Sequence, residues 1–69
     1  MFVLVVCGGP NDGERIDRDG WVSHGAVPPA KFDDLSEAME AVEHIKSNGF
    51  LARGDFGPGV TDLAIDELV

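Results

Sequence analysis

The sequence predicts an α+β domain in which one amphipathic helix packs on a small antiparallel sheet of three to five short strands. Three observations carry that prediction. The run Phe2-Val3-Leu4-Val5-Val6-Cys7 is uninterrupted, apolar and rich in β-branched residues, as a strand requires. Leu35, Ala38, Met39, Val42 and Ile45 recur at helical spacing, within an arc of roughly 120°. Glycine and proline clusters separate these two segments from further short runs of strand character. Residues 1–69 make one domain, near the size at which a single apolar core just suffices.

Taken in order, the first strand is closed by Gly8-Gly9-Pro10 and is apolar on both faces. Either Phe2, Leu4 and Val6 or Val3, Val5 and Cys7 can lie against a helix. The other face then needs cover from a loop, a second subunit or a binding partner. Gly8 to Gly13 is a loop by composition. Glu14-Arg15-Ile16-Asp17 and Trp21-Val22-Ser23-His24 flank Arg18-Asp19-Gly20 and predict a hairpin, since Gly20 tolerates a positive φ. Trp21 is expected as a partly buried anchor there. Pro28 and Pro29 lack backbone N–H groups, so residues 25–30 should be an extended crossing segment.

The helix is predicted over residues 34–48. Asp34 serves as N-cap and Glu37 completes a capping box, while Asn48-Gly49 supplies a C′ glycine with Phe50 folding back onto Ile45. Residues 50–56 read as a strand, and Gly57-Pro58-Gly59 suits a type II turn. The last segment fits two patterns: Val60, Leu63, Ala64 and Leu68 mark a helical face, whereas Thr61, Leu63 and Ile65 alternate as in a strand. The preferred reading is a strand pairing back across the Gly-Pro-Gly turn. The expected core is Leu4, Val6, Ile16, Leu35, Ala38, Met39, Val42, Ile45, Phe50 and Leu63.

Thirteen Asp and Glu against five Lys and Arg give a formal charge of −8. Such an excess repels nucleic acid and anionic membrane and steers the chain toward basic surfaces. The apolar fraction of 43% is too high for a disordered acidic tail. The longest apolar run has six residues, far short of a membrane span, and lacks the basic flank and length of a secretory signal. A cytoplasmic protein is expected. The single cysteine, Cys7, rules out an intrachain disulfide.

Each chemical constellation has a plainer reading. The Gly8-Gly9 loop resembles a phosphate cradle only in glycine content: Pro10 removes a donor, and Asp12 and Glu14 repel an anion. Cys7, His24 and His44 stand at no chelating spacing, so no metal is expected. Cys7 ends an apolar strand, where a thiol is ordinarily inert, and no carboxylate is singled out by an apolar setting. Neither catalytic residues nor a cofactor are expected. Arg53-Gly54-Asp55 reads as a chance tripeptide on a strand.

What remains is the distribution of acid. Asp12, Glu14, Asp17 and Asp19 cluster early. Asp33, Asp34, Glu37, Glu40 and Glu43 run along the start and outer face of the helix, and Asp55, Asp62, Asp66 and Glu67 close the chain. Carboxylates one helical turn apart lie about 5–6 Å from each other, close to the spacing of phosphates along a strand. By size, by the rows Asp33-Asp34-Glu37-Glu40-Glu43 and Asp62-Asp66-Glu67, and by the lack of a catalytic motif, the chain resembles small acidic inhibitors of phages and mobile elements. These are the anti-CRISPR and DNA-mimic class, which share no common motif. The resemblance implies a stoichiometric blocker of a basic nucleic-acid-binding or recognition surface in a host complex, with no direct contact to nucleic acid or membrane. Those eight carboxylates are the candidate partner-binding residues. The alternative is an interaction domain of housekeeping or toxin–antitoxin type that self-associates through the first strand; both a monomer and a homodimer are open.

Overall fold

The computed structural model describes residues 1–17, 22, 28–49 and 56–68. Among them, the regular elements follow in the order β1 (Phe2–Cys7), α1 (Leu35–Ser47) and β2 (Asp62–Glu67). The fold is α+β, with β1 and β2 antiparallel in a register running from Phe2 opposite Glu67 to Cys7 opposite Asp62. Both ends of the ladder are extended by one bond. Leu68 N–H donates to the Met1 carbonyl at 2.7 Å, and Thr61 N–H to the Cys7 carbonyl at 2.9 Å.

The C-terminal segment is therefore a strand, and its described partner is β1. Its burial pattern explains the choice: Leu63 is buried while Asp62, Ala64 and Asp66 are exposed, as a strand with one wet face requires. The expected pairing with residues 50–55 lies outside the described residues.

The other edge of β1 is also bonded. Phe2 exchanges both backbone hydrogen bonds with Phe32, at 2.8 and 2.9 Å, while Val6 N–H donates to Glu14 and Ile16 N–H to Leu4 at 2.9 and 3.0 Å. An isolated bridge joins Ile16 to Val22, the two arms of the expected hairpin, whose turn and Trp21 lie outside the described residues. Another joins Asp17 to Pro29, and there Ala30, the neighbour that has an N–H, donates to Ile16 at 3.0 Å. In place of the three to five strands expected, the described residues show two strands and four isolated bridges.

Helix α1 begins and ends as its sequence requires. Asp34 is extended (φ −132°, ψ 162°), and its carboxylate accepts the Glu37 N–H at 3.0 Å, the cap arm of the expected box. Gly49 has a φ of +73°. Its N–H donates to the Lys46 carbonyl at 3.1 Å, one of the bonds of a Schellman end. The partner contact from Phe50 lies outside the described residues.

The core joins Leu4 and Val6 of β1, Leu63 of β2, Ala38 and Val42 of α1, Ile16 and Phe56. Ile45 packs against it as a half-buried neighbour. Two expected core residues are not in it: Leu35 and Met39 are 48% and 54% exposed. The helix lies on the sheet through the fully buried Ala38 and through Val42. Successive residues turn by about 100°, so Leu35 and Met39 are rotated by roughly 60–100° from Ala38. Phe56, expected within a strand, is instead a buried turn residue. Val3, on the face of β1 opposite Leu4, is fully buried by the chain itself, so at that residue the second face does not await a subunit.

The Gly8–Gly13 loop packs backbone to backbone on the Gly57-Pro58-Gly59 turn. A Cβ added at Gly9, whose φ is +76°, would meet the Pro58 carbonyl oxygen at 2.2 Å. Gly59 has the φ of +78° that the third position of a type II turn demands.

Candidate functional site

Because α1 buries Ala38 and Val42, Glu37, Glu40 and Glu43 are turned to solvent, and all three are exposed. At three-residue spacing they climb the helix by about 4.5 Å per step while winding over an arc of about 120°, with Glu40 in the middle. Asp33 and Asp34 are exposed and extend the row below the first turn. The helix thus brings five of the eight candidate carboxylates together. Asp34 also holds the cap, so its charge serves the fold and the surface at once.

Among the described residues no cation makes an ion pair with the row, although Lys46 feels the charge of Glu43. Lys46 Nζ lies 2.9 Å from Asp62 Oδ1, in a pair that stays about half exposed. The Lys46 ammonium, with help from the Leu63 N–H, holds the Asp62 carboxyl below the usual aspartate range. The same contact raises Lys46 above its ordinary value. His44 sits one turn from Asn48, whose side-chain amide approaches its ring at 3.3 Å. Glu37, Glu40 and Glu43 have no ion pair among the described residues.

The other three candidates are placed differently. Asp62 is engaged by Lys46 at the C-terminal end of α1. Asp66 shares its face of β2 with Asp62 and Ala64, away from Leu63. Glu67 lies on the Leu63 face at the other end of the strand. It is opposite Phe2, whose other neighbour is Phe32, so Glu67 and Asp33 share one end of the sheet. Acid is also not wholly superficial. Asp17, counted with the early acidic cluster, is buried and engaged.

The remaining constellations have local explanations. In the glycine loop, Gly8 N–H donates to Asp12 Oδ1 at 2.7 Å, so a carboxylate of the chain already occupies the place of an anion. Among the described residues no three His, Cys, Asp or Glu side chains converge on a metal-sized space. Nor is any helix among them long and apolar enough to cross a membrane. His24 and Arg53-Gly54-Asp55 lie outside the described residues.

Sequence reasoning assigned Leu35 and Met39 to the core and so missed them as surface features. Lys46 was the available signal: it falls on the same flank, roughly 80° from Ala38, where a charged residue marks the limit of burial. Comparison with protein-family models, curated proteins and solved structures finds no match to this chain.

Proposed function

We propose that the protein is a non-enzymatic, acidic interaction protein that occupies a basic nucleic-acid-binding or recognition surface of another macromolecule, in the manner of the anti-CRISPR and DNA-mimic inhibitors. The observation that carries this reading is the exposed row Glu37-Glu40-Glu43, continued by Asp33 and Asp34, with no ion pair on the three glutamates among the described residues. From Asp34 to Glu43 the helix rises about 14 Å and carries four carboxylates. One strand of B-DNA places about four phosphates in that length. A surface of lysines and arginines that accepts a nucleic-acid strand can therefore meet a similar linear charge density here. Asp66 and Glu67 add charge on β2, outside the row, and the bridges at Arg15, Ile16 and Asp17 are read as parts of the wider sheet. The expected setting is the cytoplasm.

Displacement tests the reading directly. A labelled DNA duplex bound to a lysine-rich peptide should be released by stoichiometric protein. The release should weaken steeply between about 50 and about 300 mM salt. Failure to release the duplex at low salt would contradict the proposal.

A further inference from the structure

Leu35 and Met39 are neither core nor part of the acidic row, and they lie one helical turn apart on one flank of α1. The Lys46–Asp62 pair identifies that flank. Lys46 shares it, and its bond to Asp62 places it over β2 rather than over the Arg15 and Phe32 edge. From Leu35 to Lys46 the helix rises by about 16 Å. Leu35, Met39 and the methylenes of Lys46 form an apolar strip on this flank of α1, with Glu43 on its outer side and Asp62 at the Lys46 end.

We propose that this strip docks a basic amphipathic helix of a partner protein. Apolar side chains of that helix cover Leu35 and Met39, and its lysines or arginines face Glu43 and Glu40. The proposal rests on the acidic-interaction reading and deepens it: the partner presents an apolar stripe as well as positive charge. Charge complementarity selects the occupant. A second copy would bring another −8 against the same acidic rim, whereas a cationic helix neutralises it. Side chains one turn apart are the pattern that a facing helix reads, and an unbranched methionine adapts to what covers it.

Calorimetry with the full chain and two synthetic peptides of equal length and charge tests this. One peptide carries leucines at helical spacing among lysines; in the other, serines replace the leucines. The leucine peptide should bind at least about tenfold more tightly, as expected for covering two half-exposed apolar side chains. In L35Q/M39Q, and to a lesser degree in M39Q alone, that advantage should disappear with the circular dichroism unchanged. Equal affinity for the two peptides, or an advantage that survives in L35Q/M39Q, overturns the docking site and leaves the acidic reading standing. No salt-sensitive binding of either peptide overturns both. A wild-type dimer in sedimentation that L35Q/M39Q dissolves assigns the strip to a second copy and overturns the proposal.

Discussion

At the residue scale, a few positions do work that no neighbour can take over. Gly9 is one of them: its positive φ and the 2.2 Å that a Cβ would leave to the Pro58 carbonyl both exclude a side chain. Gly9→Ala should therefore lower the unfolding free energy by more than about 2 kcal/mol, read from a urea melt. Asp34 is another, through the single bond it accepts from Glu37 N–H. Asp34→Ala should cost about 1 kcal/mol, whereas Met39→Gln, one turn into the helix but half exposed, should stay within about 0.5 kcal/mol of wild type. The Lys46–Asp62 pair behaves differently because both groups are wet. Asp62 titrates low in the fold, so its contribution is present above the ordinary aspartate range and is lost as pH falls through the depressed folded value. Lys46 titrates high, so its share is complete below the ordinary lysine range and fades as pH rises through the raised folded value. The stability difference between wild type and Lys46→Met should thus be small at neutral pH. It should shrink further with added salt, and in acid below the ordinary aspartate range.

At the scale of elements, legibility followed the strength of the local pattern. The cap at Asp34, the glycine end at Gly49 and the strand at Phe2–Cys7 stand where the sequence places them, because each is a local signal of caps, φ or β-branching. What a helix packs against is not local. The arc through Leu35 and Met39 is apolar, yet Ala38 lets the helix approach the sheet closely and leaves its larger neighbours on the flank. The alternation of Leu63 with Asp62 and Ala64 decided between strand and helix for the last segment, but its partner β1 lies some sixty residues away and no short-range signal names it. Of the candidate site, the helical row was legible from spacing alone. Asp62 was not, since its engagement depends on the tertiary approach of Lys46. Leu4 and Val6 anchor both elements: Leu4→Ala should cost about 2–4 kcal/mol by urea unfolding, a large share of the stability of a domain this size.

At the scale of the whole molecule, β1 is bonded along both edges and buried at Val3 as well as Leu4, so the apolar inventory is used mainly within the chain. Ten of the eleven acidic residues described are exposed, Asp17 being the exception. Among these exposed carboxylates, Glu37, Glu40 and Glu43 form a continuous row on α1, where the proposed partner would meet it. In the proposed function the location of the charge, rather than its total, governs binding, and this separates two variants with the same change in net charge. Glu40 sits in the middle of the row, while Glu14 is exposed outside the helix, beside β1. The most direct measurement is release of the labelled duplex from the lysine-rich peptide by E40K and E14K at about 50 mM salt, where charge is least screened. The row predicts that E40K needs at least about tenfold more protein than wild type and E14K less than about threefold. Equal loss in the two variants would mean that only bulk charge matters and would contradict the account.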